Sequence, residues 1–119
     1  MPRRKPELEI RPRFRVIKGD EILLGPGKAD LLEAIDRTGS IRQAAVELGM
    51  SYMRAWTLVK TMNEGFRSPL VESSRGGSGR GGASLTKTGR TVLELYREME
   101  RDSLAAIRSA RGRLSRLAR

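Results

Sequence analysis

The sequence contains no cysteine and no histidine, and aromatic residues make up only 4% of it. The first two absences exclude disulfide bonds, thiol chemistry and metal sites built from cysteine or histidine. They also remove the side chain most often used for general acid–base catalysis, so we expect neither enzyme activity nor a cofactor. With so few aromatic residues, the core must be small and built from leucine, valine, isoleucine, alanine and methionine.

Long apolar runs are missing as well. No run approaches the length of a transmembrane helix, which needs about 18 apolar residues. The basic N-terminal residues 1–6 are not followed by the apolar core of a secretory signal. We therefore expect a cytoplasmic protein, associated with the nucleoid if its positive charge binds DNA.

Acidic residues are few relative to basic ones. The chain has 24 Lys and Arg residues against 14 Asp and Glu, which gives a net charge of +10. A small basic domain generally binds a polyanion, and nucleic acid is the commonest one. Residues 103–119 hold five arginines and no acidic residue, whereas residues 28–50 are nearly balanced. The positive charge is therefore concentrated outside the segment 28–50.

Hydrophobic periodicity and capping residues divide the chain into short elements. Alternation of apolar and basic residues predicts a strand, and Pro26 suits the first position of a helix because it has no N–H to leave unsatisfied. Residues 1–9 are expected to form a mobile basic arm. The predicted elements, in chain order, are a hairpin over 11–24, helices over 26–38, 40–48 and 51–65, strands over 70–73 and 83–86, and one continuous helix from 87 to the end.

The two central helices have the pattern of a helix-turn-helix. Gly49 occupies the ninth position of the motif, where the turn needs a left-handed backbone that glycine adopts easily. Ala45 falls at the fifth position, where the helices come closest and a large side chain would separate them. The positions that must be apolar are filled by Ala44, Leu48, Met50, Ala55 and Leu58. An ordinary helical hairpin is the alternative interpretation.

In a helix-turn-helix, the second helix enters the major groove of DNA and its first residues meet the base edges. Arg54 is a candidate for a guanine or a phosphate contact. For Trp56 we favour packing against the hairpin or the last helix over DNA contact. The candidate DNA contacts are Ser51, Tyr52, Met53, Arg54, Thr57 and Lys60 on the second helix, Ser40, Arg42 and Gln43 on the first, and Lys87 after the glycine-rich segment.

The glycine-rich segment 75–82 allows three interpretations. It contains the spacing G-x-G-x-x-G of a dinucleotide site, but no βαβ unit surrounds it and no apolar helix opens after it, so we reject that interpretation. A flexible linker is possible. A wing fits better, since predicted strands flank the segment and Arg75 and Arg80 lie in it, where they can reach the DNA backbone or the minor groove.

Two further patterns concern the helical surfaces. Asp30, Glu33 and Asp36 recur every three residues, and we interpret them as a solvated face that pairs with basic residues, not as a metal or catalytic site. On the last helix, apolar residues alternate steps of three and four, as in a coiled coil, with a polar break at Ser103. This seam predicts a dimer contact through Val92, Tyr96, Met99, Ile107, Ala110 and Leu114.

The order of elements predicts a mostly α fold with a small β component: a winged helix-turn-helix with an N-terminal hairpin and a long C-terminal helix. Residues 25–98 resemble the N-terminal DNA-binding domain of ModE, the molybdate-responsive transcription regulator, and more distantly that of LysR-type regulators. The resemblance rests on Thr38-Gly39-Ser40-Ile41, Leu48-Gly49-Met50-Ser51-Tyr52, Arg54-Ala55-Trp56, Pro69-Leu70-Val71-Glu72, Gly76-Gly77 and Gly81-Gly82-Ala83.

This resemblance implies a prokaryotic homodimer that binds a palindromic operator. It also implies that the first helix, with Leu31, contributes to dimerisation beside the N-terminal strands and the helix after the wing. The domain would span residues 10–101, with 102–119 as an arginine-rich continuation of the last helix. The family's molybdate-binding domains have no counterpart in this sequence, so molybdate is not expected to act on it.

Three functions follow from these observations. The first is a sequence-specific transcription regulator that reads the major groove with residues 51–65 and the adjacent backbone or minor groove with residues 74–83. The second is an architectural chromatin or nucleoid protein that binds DNA with low sequence specificity, which the small size and the basic ends favour. The third is a protein-interaction module that uses the last helix.

Overall fold

The computed structural model describes residues 7–75 and 81–119. None of the helices in these ranges is both long and apolar enough to cross a membrane. The fold confirms the predicted class, with a winged helix-turn-helix, a small hairpin before it and helix after it. In chain order the elements are β1 (Val16–Lys18), β2 (Glu21–Leu24), α1 (Pro26–Thr38), α2 (Ile41–Leu48), α3 (Tyr52–Gly65), β3 (Val71–Arg75), β4 (Gly81–Leu85), α4 (Lys87–Ala106) and α5 (Arg108–Leu117).

Both sheets are two-stranded and antiparallel. In the first, Lys18 pairs with Glu21 across the turn. The first strand is shorter than the alternation predicts, because β2 has only four residues and offers no partner to residues 11–15. In the second sheet the pairing runs from Val71 opposite Leu85 to Arg75 opposite Gly81. Arg80 lies outside the described residues, and no side-chain position is described for Arg75.

The core surrounds α1. Leu31, Leu32 and Ile35 of this helix are completely buried. Met62 of α3, Tyr96 of α4 and Leu70 before β3 are likewise completely buried. The apolar residues of α1 therefore pack on more than one side of the helix, because α1 contacts α2, α3, β4 and α4.

Helix α4 runs antiparallel to α1. Near its start, Arg90 pairs with Asp36 toward the end of α1, with a nitrogen–oxygen distance of 2.9 Å. Two turns later, Arg97 pairs with Asp30 near the start of α1, also at 2.9 Å. Because α3 packs on α1, α2 and β2 while α4 packs on α1 and β4, α1 lies between α4 and the helix-turn-helix.

The predicted single C-terminal helix is interrupted. Ile107, with φ −93° and ψ 5°, separates α4 from α5. The helical hydrogen bonds nevertheless continue on both sides of it: its N–H donates to the Ser103 carbonyl at 3.1 Å, and its own carbonyl accepts from Arg111 at 2.8 Å. No residue of α5 is buried, so packing does not hold this last segment to regular geometry.

Candidate DNA-binding surface

The turn between α2 and α3 has the geometry that the motif requires. Gly49 has φ +67° and ψ 31°, and the N–H of Met50 donates to the Ala45 carbonyl at 3.0 Å. Ala45 and Ala55 are buried where the two helices meet. Any larger side chain at Ala45 would force α2 and α3 apart, so the angle at which α3 projects from the domain depends on these small residues.

Serine caps fix the starts of both helices. The Ser51 hydroxyl accepts a hydrogen bond from the Arg54 N–H at 3.1 Å, and the Ser40 hydroxyl accepts one from the Gln43 N–H at 3.1 Å. Among the described hydrogen bonds, none runs from the Ser40 N–H to the Gln43 side chain, because the Ser40 N–H donates to the Thr38 hydroxyl. The Gln43 side chain is consequently exposed at the surface.

The side of α3 that faces away from the core is not centred on the first turn of the helix. Ala55, Val59 and Met62 point into the core. Successive residues of a helix are rotated by about 100°, so the direction opposite to this buried side falls on Thr57 and Glu64, with Met53 and Lys60 beside them. The side chains of this outward face are Met53, Thr57 and Lys60, with Glu64 in the last turn of the helix. Tyr52, Arg54 and Trp56 are exposed but lie at the borders of the face.

The expected packing of Trp56 against the hairpin or the last helix is wrong. Its side chain is 43% exposed and lines a groove of about 240 Å³ together with Ile41 and, across from it, Val71 and Ser73 of the wing. The Lys60 ammonium lies 5.5 Å from the centre of its ring. The position of Trp56 along the helix does not decide between packing and exposure, because the residue lies about a quarter turn from the buried side of α3.

A second aromatic residue meets a cation at the start of α3. The Arg42 guanidinium lies 4.5 Å from the centre of the Tyr52 ring, within the range of a cation–π contact. This contact joins the first turn of α2 to the first turn of α3. It places both side chains together at the edge of the outward face, and their contact with DNA stays a prediction.

Asn63 connects α3 to the wing, and sequence reasoning gave no sign of it. Its side-chain oxygen accepts from the N–H groups of Leu70 and Val71, at 2.8 and 3.0 Å, and its side-chain nitrogen donates to the Val71 carbonyl at 3.0 Å. These three bonds satisfy the backbone where β3 begins. They fix the start of the wing relative to α3.

Acidic residues are held on the far side of α1. Arg97 pairs with Asp30, Glu33 and Glu100, at distances between 2.9 and 3.3 Å, which confirms the interpretation of the acidic helix face. Burial alone would lower the pKa of the Arg97 guanidinium, but hydrogen bonds to Asp30 and Glu100 raise the pKa above its ordinary value. The Arg97 guanidinium therefore stays charged at any physiological pH.

The cations of the helix-turn-helix are not neutralised in this way. Within residues 7–75 and 81–119, no ion pair involves Arg42, Arg54 or Lys60. Glu47, the acidic residue of α2, is engaged by Arg37. An exposed surface with unpaired cations and few carboxylates is suited to the phosphate backbone.

The residues predicted to form a dimer seam are not on one surface. Leu31 and Tyr96 are completely buried inside the protomer, and the Tyr96 hydroxyl donates to the Phe14 carbonyl at 2.9 Å. Both are therefore core residues and offer no surface to a partner, in contrast to the expectation. Val92 and Ile107 are half-buried, whereas Met99, Ala110 and Leu114 are exposed. Sequence reasoning missed Leu95 and Leu104, which are also exposed on α4.

Comparison with known proteins gives this geometry a family. Residues 28–90 match the family of bacterial regulatory helix-turn-helix proteins of the lysR family. The chain is 43% identical over 77 residues to the molybdenum-pterin-binding protein MopB of Rhodobacter capsulatus, covering 65% of this chain and 28% of MopB. It is 40% identical over 76 residues to the DNA-binding transcriptional dual regulator ModE of Escherichia coli K12, covering 64% of this chain and 29% of ModE.

Solved structures agree on the fold. The DNA-binding domain of CbnR, determined in complex with DNA, has a TM-score of 0.55 at 23% identity, covering 74% of this chain and 93% of that domain. ZitR of Lactococcus lactis has a TM-score of 0.57 at 17% identity, covering 83% of this chain and 68% of ZitR. The resemblance to an N-terminal domain of ModE is thus confirmed over the matched residues, although the chain spans less than a third of the length of these curated relatives. The chain belongs to the lysR family of bacterial regulatory helix-turn-helix proteins.

Proposed function

We propose that this protein is a dimeric transcription regulator that inserts α3 into the major groove of double-stranded DNA and lays the wing on the adjacent backbone or minor groove. The observation that carries this proposal is the outward face of α3, where Met53, Thr57 and Lys60 project together from a helix start fixed by Ser51. Thr57 and Lys60 offer hydrogen bonds to base edges or phosphates, and Met53 offers an apolar contact.

Selection of bound sequences from a random DNA pool is the direct test. A specific regulator is expected to enrich one motif, and a dimer is expected to enrich two half-sites separated by about one helical turn, 10 to 10.5 base pairs, or a multiple of it. A pool that stays random after repeated selection would contradict specific reading. Binding should also weaken with salt, by about a thousandfold between 50 and 200 mM for six phosphate contacts.

A pair of single variants separates reading from general attraction. Lys60→Ala should weaken binding to the selected site by about tenfold, since it removes one phosphate or base contact from the outward face of α3. Arg101→Ala removes the same charge from α4, away from α3, and should change the affinity much less. Equal losses in both variants would indicate that net charge, and not the α3 surface, determines binding.

Dimerisation is proposed through the exposed part of the predicted seam. Met99 and Leu114 are 41% and 51% exposed, and neither is needed to complete the protomer core. Analytical ultracentrifugation should give a dimer for the wild-type chain and a monomer for Met99→Lys combined with Leu114→Lys. A variant that remains dimeric would exclude this surface, whereas circular dichroism would reveal a loss of folding.

The architectural alternative has one observation in its favour, the exposed arginines of α5. An architectural protein would coat DNA evenly at high cellular abundance, whereas a regulator would occupy few sites. Chromatin immunoprecipitation from the source cell, read over the whole genome, distinguishes the two patterns. A location on the nucleoid in the cytoplasm is part of both proposals, and no molybdate site is proposed for these residues.

A further inference from the structure

The last helix carries a concentrated positive charge. Five arginines and no acidic residue lie between residues 103 and 119. Every residue of α5 is exposed. In the described part of the chain, no ion pair involves any of these arginines, and the single side-chain hydrogen bond among them runs from Arg111 to the Leu8 carbonyl at 3.0 Å.

The N-terminal segment extends along the same helices. The Phe14 carbonyl accepts a hydrogen bond from Tyr96 on α4, and the Leu8 carbonyl accepts one from Arg111 on α5. An extended segment of six residues and a helical segment of fifteen residues both span about 20 Å, so the two run side by side. The fold thus brings the start of the described chain, at Leu8, beside α5.

Helix α5 is remote from α3. Helix α4 begins beside Leu70 at the base of the wing, where Thr86 donates to the Leu70 carbonyl at 2.9 Å. Its 20 residues then extend about 30 Å along α1 and past its start before α5 begins. Because α1 lies between α4 and the helix-turn-helix, the arginines of α5 do not adjoin the surface of α3.

The charge pattern of α5 selects DNA as the occupant. From Arg108 to Arg116 the helix rises about 12 Å, and a DNA strand presents one phosphate per 3.4 Å of its axis, so several phosphates face these arginines at once. An anionic membrane fits less well. The apolar residues Leu114 and Leu117 are separated by Arg116 in sequence, and Arg113 lies beside them on the helix, so the apolar face is narrow.

We propose that α5 is a second, sequence-independent DNA-binding surface, which holds the backbone of a duplex other than the one read by α3. The proposal rests on the function proposed above and adds to it: a protein bound to its site would hold a second DNA segment nearby. The contacts would be arginine–phosphate contacts only, because α5 presents no other polar side chains except two serines.

A bridging assay tests this directly. The selected site is fixed to beads, the wild-type protein is added, and a labelled duplex without the site is offered in solution. The variant Arg108→Gln, Arg113→Gln, Arg116→Gln removes three exposed charges with a residue that favours helix and leaves Arg111 in place. It should bind the fixed site as the wild-type protein does and capture at least about tenfold less of the second duplex.

A matched control removes three exposed charges elsewhere, through Arg15→Gln, Lys18→Gln and Arg67→Gln. This control should retain capture at equal occupancy of the fixed site. Equal capture by the wild-type protein and the α5 variant would overturn the proposal, as would equal losses in the α5 variant and the control. Occupancy of the fixed site is measured in the same experiment, so failure of α3 to read a site is seen separately.

Two further outcomes would also overturn the proposal. In one, the fixed duplex is lengthened on either side of the site and no second duplex is added. If the wild-type protein then binds the fixed duplex more tightly than the α5 variant does, α5 contacts flanking DNA on the same duplex. If the α5 arginines determine binding to vesicles of anionic phospholipid but not capture of DNA, the occupant is a membrane surface.

Discussion

The helix-turn-helix and the C-terminal helices differ in how their surfaces are determined. In α2 and α3, the ends of the helices and the contact between them follow from local residues: the serine caps, the glycine turn, and the small side chains of Ala45 and Ala55. In α4 and α5, one apolar stripe runs through Val92, Tyr96, Met99 and Leu114, yet its start is buried in the core and its end is exposed. A periodic pattern thus identifies a face of a helix but not what covers that face.

The largest expected effect comes from Gly89, where α4 meets the base of the wing. A Cβ built at this glycine lies 2.0 Å from the Leu70 carbonyl oxygen, which is backbone and cannot rotate away. Gly89→Ala should therefore lower the free energy of unfolding by about 3 kcal/mol, measured by urea denaturation. Gly112→Ala is the control, since nothing lies within 4 Å of its Cβ, and it should stabilise α5 slightly. A harmless Gly89→Ala would show that α4 is not held against β3.

Asn63 gives the next largest effect. Asn63→Ala removes three hydrogen bonds and leaves the N–H groups of Leu70 and Val71 without their partner, at a cost of about 2 kcal/mol. Thr61→Ala removes a hydrogen bond between its exposed hydroxyl and the Leu58 carbonyl on the same helix and should cost much less. If both variants have the same stability, the wing does not depend on α3.

The charged contact between α1 and α4 should be weaker and sensitive to salt. Arg97→Met leaves the carboxylates of Asp30, Glu33 and Glu100 facing one another and should cost about 1 to 2 kcal/mol. Arg90→Met breaks only the exposed pair with Asp36 and should cost less than about 1 kcal/mol. The loss in free energy of unfolding is measured for both variants at low and at high salt. If Arg97 acts through charge, the two losses should become more similar at high salt, and a salt-independent loss would contradict this.

The smallest effect is expected at the turn of the motif itself. Gly49→Ala places a side chain at φ +67° and should cost about 1 kcal/mol, because nothing else obstructs the Cβ. Gly27→Ala in α1 is the control, since its backbone is not left-handed and its Cβ meets nothing within 4 Å. Circular dichroism melting should separate the two variants, and identical melting temperatures would mean that the turn can relax.

The bounds of α1, α2 and α3 could be predicted to within a residue because their signals are local. Pro26, Gly39, Ser40, Gly49 and Ser51 each terminate or start a helix through their own backbone or side chain. The contacts of Tyr96 with Phe14 and of Asn63 with Val71 join residues far apart in sequence, and no local pattern indicates them. The exposure of Trp56 is also set by a distant contact, because it depends on where the wing lies and the wing is positioned through Asn63. The local sequence therefore does not indicate it.

The hydrogen bond from the Ala83 N–H to the Gly39 carbonyl, at 3.0 Å, fastens the returning strand of the wing to the corner between α1 and α2. With Asn63 holding the outgoing strand, the wing is anchored on both sides. The separation between α3 and the wing is therefore set by the fold. If α3 and the wing contact DNA as proposed, the duplex and not the protein has to adjust to this fixed separation.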